Sequence, residues 1–208
     1  ESGIPDFRSS DGLYSIKLDR HFTPEQLISH TMYLKYPEEF YQFYKTHLIY
    51  PDVKPNPAHY YLAELENNGK LAAVITQNID SLHEMAGSKK VLKLHGSVDK
   101  NTCTECGKKY NLEDFLKLCN DIPHCTECNG IIKPDVTLYE ESLDMTVFNE
   151  AIYYISQADT LIIGGTSLVV YPAASLVQYF KGDNLVLINK SSTLQDNYAN
   201  LVIHDSIG

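Results

Sequence analysis

Four cysteines stand in two C-x-x-C pairs, Cys103 with Cys106 and Cys125 with Cys128, with eighteen residues between the pairs. Thiolates at this spacing hold zinc, although two disulfides or a redox dithiol use the same residue pattern. No signal peptide is read in the chain, so a reduced cytoplasm with metal-bound thiolates is expected. Four sulfur ligands close a tetrahedral shell and leave no position for water or substrate, which makes one structural Zn2+ per chain the expectation. Such a site supplies on the order of 10 kcal/mol of folding free energy, enough to hold a segment that is poor in large aliphatics. The fifth cysteine, Cys119, reads as a small buried hydrophobe.

Other reactive side chains follow short apolar runs. His95 comes directly after Val91 to Leu94 and precedes Gly96, which permits close approach of a ligand to the backbone. A lone histidine after a strand is most often structural. Its place at a strand end makes it a candidate general base near neutral pH. Gln77, Asn78 and Asp80 follow Leu71 to Ile75; Asn78 and Asp80 are favoured helix caps, and capping does not exclude ligand contact. The turn Gly164-Gly165-Thr166-Ser167 resembles a phosphate or ribose cradle, but no G-x-G-x-x-G occurs, and alone it is weak evidence for a nucleotide.

The elements that must position these groups alternate. Residues 1–24 are rich in Ser, Asp, Gly and Pro and predict an irregular, mobile loop of the kind that carries function. Pro24 to Tyr50 predicts two helices broken at Pro37, and Pro57 opens a third that Asn68-Gly69 ends. Strands are expected at Leu71–Ile75, Val91–Leu94, Val136–Leu138, Thr160–Ile163, Leu185–Ile188 and Leu201–Ile203, with helices at Met145–Ser156 and Pro172–Phe180. Apolar strands alternating with helices indicate an α/β protein with a Rossmann-like, doubly wound parallel sheet, whose ligands lie beyond the carboxyl ends of the strands. Gln77-Asn78-Asp80, His95, Thr166-Ser167 and Asn189-Lys190-Ser191 all fall at those ends.

With 208 residues, 43% of them hydrophobic, the chain can bury one sizeable core and a small appended module. A formal charge of -10 without a Lys/Arg-rich run argues against nucleic acid as a direct ligand. The uncharged run Thr160 to Phe180 is interrupted by Gly164-Gly165, Pro172 and Gln178, so no membrane span is expected. There is no internal repeat and no low-complexity tract.

Taken together, these phrases resemble the bacterial-type sirtuins, NAD-dependent protein lysine deacylases. The matching phrases are Gly3-Ile4-Pro5-Asp6-Phe7-Arg8, Thr76-Gln77-Asn78-Ile79-Asp80 with Leu82-His83, Leu94-His95-Gly96, the four cysteines, Gly165-Thr166-Ser167-Leu168-Val169-Val170-Tyr171-Pro172, and Ile188-Asn189. The resemblance implies an NAD-binding domain from 1–22, 70–97 and 135–208, and a small domain made of a helical insertion (23–69) and the zinc module (98–134). NAD as co-substrate and an acyl-lysine protein or peptide would meet in the cleft between them. It assigns Asp80 to the nicotinamide carboxamide, Asn78 to a ribose hydroxyl or ordered water, Gln77 and Ile79 to the same end of the cofactor, and His95 to deprotonation of a ribose hydroxyl. Gly165, Thr166, Ser167 and Asn189 would take phosphate and adenosine ribose, and Ile207 would lie near the adenine. Phe7 and Arg8 would belong to a loop closing over NAD. Val136, Thr137, Leu138, Tyr139 and Val169 would bind the peptide. The products would be nicotinamide, free lysine and O-acyl-ADP-ribose. A monomer is expected.

The chain departs from the family pattern in three places. It begins just past the family's first strand and Gly-Ala-Gly-x-Ser loop. The usual Phe-Gly-Glu of the peptide-binding strand is Tyr139-Glu140-Glu141, an exchange expected to alter substrate fit. The Tyr-x-x-Arg pair of relatives that remove succinyl or malonyl groups aligns with Tyr44-Lys45-Thr46-His47, which lacks the arginine needed for bidentate carboxylate capture and predicts neutral acyl groups. The rival functions are protein ADP-ribosyl transfer on the same fold, a non-catalytic zinc-module adaptor, and a dithiol oxidoreductase.

Overall fold

The computed structural model describes residues 1–6, 12 and 22–208. Phe7, Arg8 and most of the expected N-terminal loop lie outside the described residues.

The helical segment contains α1 (Pro24–Leu27), α2 (His30–Lys35) and α3 (Pro37–His47), one helix more than expected. Pro37 makes the anticipated break. The extra break falls at Ile28 and Ser29, where the Ser29 hydroxyl accepts from Met32 N and starts α2 as a new helix. Thr23 starts α1 with a reciprocal capping box to Gln26. In α3 the buried residues Phe40, Tyr41, Phe43 and Tyr44 form one face at i, i+3 and i+4 spacing. That face packs on Phe115 of α6 (Leu112–Leu118), with Tyr41 and Tyr44 ring centroids 6.3 and 6.2 Å from it. The Tyr41 hydroxyl donates to the Ile132 carbonyl at 2.8 Å. One hydrophobic cluster therefore draws on both the helical segment and the thiol-bearing segment, and it includes Cys103 and Cys125 themselves.

The thiol-bearing segment is built on an antiparallel sheet that the sequence did not announce. Its strands are β3 (Gly96–Cys103), β4 (Lys109–Tyr110) and β5 (Ile132–Val136), in the order β4-β3-β5. The strand expected at Val136–Leu138 ends instead at Val136. Beyond it the backbone turns to other partners: Thr137 N donates to His95 O, and Tyr139 N to Ile28 O.

Parallel strands form two ladders. In the first, β1 (Val74–Thr76) pairs with β2 (Val91–Lys93). The second runs β6 (Thr160–Gly164), β7 (Asn184–Ile188), β8 (Leu201–Ile203). β1 starts later than the apolar run predicts because Leu71 N still bonds Leu65 O, at the end of α4 (Pro57–Asn67). Between β1 and β2 lies the short α5 (Leu82–Met85). α7 (Met145–Gln157) presents Phe148, Ala151 and Ile155 to Leu92 and Leu94. The helix expected at Pro172–Phe180 is a 3-10 stretch, Ala173–Tyr179. The carboxyl ends of the two ladders meet where Gln77 Nε2, after β1, donates to Thr166 Oγ1, after β6, at 3.4 Å. Among the described residues no helix is long and apolar enough to cross a membrane.

Candidate active site and metal centre

The end of β3 delivers Cys103, and the turn into β4 delivers Cys106. A second turn delivers Cys125 and Cys128 before β5. The residues beyond each pair, Gly107 at φ 74° and Asn129 at φ 62°, take left-handed backbone that swings both thiols of a pair to one side. All four Sγ atoms lie within 4.8 Å of one another; Cys103 is 3.4 Å from Cys128, and Cys106 is 3.6 Å from Cys125. Zinc–sulfur bonds of about 2.3 Å place tetrahedral sulfurs about 3.8 Å apart, so the cluster fits one zinc ion. The Tyr110 hydroxyl donates to Cys125 Sγ at 3.1 Å and accepts from Thr126 N at 3.1 Å, an arrangement that favours the Cys125 thiolate. Removing that donor with Tyr110→Phe should accelerate zinc transfer to a chromophoric chelator by about tenfold, with the circular dichroism spectrum unchanged.

His95 is held by its neighbours on both sides. Leu94 N donates to Thr76 O, His95 O accepts from Thr137 N at 2.9 Å, and Gly96 pairs with Val136. Gly96 sits at φ 77°, and a Cβ there would collide with the Asp135 carbonyl oxygen, so no other residue fits this turn without displacing β5. The Nδ1 atom of His95 lies 2.9 Å from the Gln77 carbonyl oxygen. A carbonyl can only accept, so Nδ1 carries the proton and Nε2 keeps its lone pair. Burial lowers the pKa of this imidazole, against the smaller opposing pull of the Gln77 carbonyl, and the neutral form prevails at pH 7.

The turn from Gln77 to Ser81 is fixed by its own polar atoms. Asn78 N donates to Thr76 Oγ1 at 3.0 Å, Leu82 N donates to Asp80 Oδ1 at 3.0 Å, and Val98 N donates to Ile79 O at 3.0 Å. Asp80 thus caps the start of α5 with one oxygen, while Oδ2 makes no hydrogen bond among the described residues. At the second ladder, Gly165 takes φ 61° with open space on its Cβ side, and Ile207 packs so closely on Gly164 that a Cβ there would meet its Cδ1. The Thr166 hydroxyl accepts from Leu168 N at 3.2 Å, and Asn189 Nδ2 donates to Ser191 O at 2.8 Å. Bare glycine backbone, hydroxyls and an amide at strand carboxyl ends suit a dinucleotide.

A family model described as the Sir2 family matches residues 1–172. The chain belongs to the Sir2 family. An NAD-dependent protein deacetylase of Clostridium perfringens (strain 13 / Type A) is 63% identical over 209 residues, which cover 100% of this chain and 85% of that protein. A solved structure of a Sir2 variant with deacetylated p53 peptide and 3'-O-acetyl ADP ribose superposes with a TM-score of 0.90 at 42% identity, covering 99% of this chain and 83% of that one. A structure of Sir2 with p53 peptide and NAD+ gives a TM-score of 0.85 at 42% identity, with the same coverages.

Within this Sir2 chain, direct contacts bring together Gln77, His95, Gly96, Val136, Thr137 and Thr166. Ser167 stands beside Thr166, and Val169 is exposed. Leu138 is buried, and Tyr139 is bridged to Ser29 by His30 N donating to Tyr139 O at 2.9 Å and Tyr139 N donating to Ile28 O at 3.1 Å. The departure Tyr139-Glu140-Glu141 pointed to an altered substrate fit, but not to the contacts that Glu140 and Glu141 make. Glu140 adopts φ 74°, a left-handed backbone unusual for glutamate, and its carboxylate accepts from Thr31 N at 2.8 Å. Glu141 accepts from Leu138 N at 2.9 Å and pairs with His30 and Lys133. The one available signal was the tandem acid after Tyr139. Tyr44 is fully buried, and its hydroxyl has no partner among the described residues.

Proposed function

We propose that this chain removes acetyl groups from lysine side chains of proteins in an NAD-dependent reaction that yields nicotinamide, free lysine and O-acetyl-ADP-ribose. The observation that carries the reading is the His95–Gln77 contact, which leaves a neutral imidazole whose Nε2 makes no hydrogen bond among the described residues, at the joint carboxyl end of two parallel ladders. When bound, NAD supplies an electrophilic ribose carbon as its bond to nicotinamide breaks. Asp80 accepts the carboxamide N–H, while Asn78 orients a ribose hydroxyl or an ordered water. Gln77 and Ile79 line the same end. Gly165, Thr166, Ser167 and Asn189 hold phosphate and adenosine ribose, and Ile207 covers the adenine. The acyl oxygen of the lysine would bond the ribose carbon that nicotinamide leaves, and His95 Nε2 would take the proton of a ribose hydroxyl whose oxygen then bonds the acyl carbon as the lysine nitrogen departs, with one water consumed. Val136, Thr137, Leu138, Tyr139 and Val169 receive the peptide; the expectation for Phe7 and Arg8 falls on residues outside those described.

The thiol cluster takes no part in this chemistry and serves as scaffold. All five cysteines are free of disulfides, as a reducing cytoplasm requires. The acyl preference follows from Tyr44 and His47: the first is buried, the second sits with its ring 4.6 Å from Phe43, and neither offers a guanidinium. Nicotinamide release measured over a panel of acyl-lysine peptides should show acetyl-lysine turned over at least about tenfold faster than succinyl-lysine. Faster succinyl turnover overturns the preference. Label passing from NAD onto protein without any acyl peptide identifies an ADP-ribosyltransferase instead.

A further inference from the structure

Lys93 ends β2 two residues before His95. Leu92 and Leu94 enter the core beside α7, and Lys93 lies on the opposite side of the strand. Its side chain is only 12% exposed. The ammonium nevertheless has a partner for each of its three N–H groups: Ser81 Oγ at 2.8 Å, Glu84 Oε1 at 2.9 Å and Ser97 Oγ at 3.3 Å. The network then closes on itself. Ser81 Oγ donates to Asp99 Oδ2, and Asp99 N donates to Ser97 Oγ at 3.3 Å.

The addresses of these partners give the network its meaning. Ser81 directly follows Asp80, Glu84 lies in the short helix that Asp80 caps, and Ser97 is two residues beyond His95. One cation therefore ties the turn bearing Asp80 to the turn bearing His95. An exposed lysine–glutamate pair contributes little and fixes nothing. The Glu84 carboxylate is 42% exposed, but the Lys93 ammonium is nearly buried and has all three donors used, two of them on hydroxyls, so it favours one geometry in which none of these donors is left unsatisfied.

We infer that Lys93 is a positioning residue of the deacetylation reaction, setting the Asp80 turn against the His95 turn so that the nicotinamide end of NAD meets the base. This rests on the function proposed above. Lys93→Met keeps the stem and deletes the donors; Lys93→Arg keeps a cation with several donors. Steady-state deacetylation of an acetyl-lysine peptide, with NAD and peptide varied in turn, should show KM for NAD raised about tenfold in Lys93→Met. KM for the peptide should stay within about twofold, since the peptide segment is held by other contacts. Lys93→Arg should recover a good part of the NAD affinity.

Wild-type enzyme in the same assay separates the two ideas. Without NAD-dependent nicotinamide release by wild type, the functional reading falls. With an active wild type, an unchanged NAD KM in Lys93→Met overturns the positioning role, and so does a parallel rise in both KM values. If Lys93→Met does not fold, Ser81→Ala removes one acceptor and leaves Glu84 and Ser97 in place. A rise of about threefold in KM for NAD alone then supports the inference, and no change overturns it.

Discussion

Replacing His95 by alanine should abolish NAD-dependent deacetylation, with turnover reduced at least about a thousandfold, while zinc content and the thermal unfolding profile stay those of wild type. The separation is expected because the imidazole spends one hydrogen bond on the Gln77 carbonyl and none on the metal centre. The pH dependence carries the sign of the burial effect. Desolvation penalises the charged imidazole and pulls its pKa down, the Gln77 carbonyl opposing it only in part. The base form is therefore present down to a pH below the ordinary histidine value of about 6.5. The kcat/KM of wild type should rise with pH along a limb whose midpoint lies below that value and then level off, and the residual rate of His95→Ala should lack this limb. Near-normal turnover in the variant, or an acid limb that survives the substitution, would remove His95 from its role.

Stripping the metal should cost the protein more than its metal-binding segment. Cys103 and Cys125 are members of the same hydrophobic cluster as Phe40, Tyr41, Tyr44 and Phe115. Without the ion nothing holds the four converging sulfurs together, and the turns that carry them lose their anchor. We expect a strong chelator to abolish deacetylation and to erase the near-ultraviolet circular dichroism of the aromatic cluster, with both restored by added zinc. Retention of the aromatic signal in protein shown to be metal-free would mean that the helices α1 to α3 stand without the ion.

Local signals made the reactive parts legible in the sequence. C-x-x-C spacing is a property of neighbours along the chain, and the carboxyl-end positions of Gln77, His95 and Thr166 follow from short apolar runs. The strands around the thiols were hidden for the opposite reason. Gly96-Ser97-Val98-Asp99-Lys100-Asn101-Thr102-Cys103 has almost no apolar alternation, and its extended form is secured by pairing with Ile132–Val136, a segment brought alongside only when the thiol-bearing turns are closed. The break at Ser29 was equally hidden, since it depends on a hydroxyl cap and on backbone pairing with Tyr139. No local signal distinguishes Lys93 within the run Val91 to Leu94. Its partners Ser81, Glu84 and Ser97 become neighbours only after β1, α5, β2 and β3 have assembled.

Glu140 carries a consequence for how such a protein can diversify. The segment that ends in Tyr139-Glu140-Glu141 is fastened to residues 28–31, with the Glu140 backbone left-handed and its carboxylate on Thr31 N. Length changes or substitutions around the start of α2 would therefore shift the segment Leu138 to Glu141, proposed above to receive the peptide, without touching Gln77, His95 or Thr166 directly. On the proposed reading, the choice of peptide could then change through contacts separate from those that hold the base.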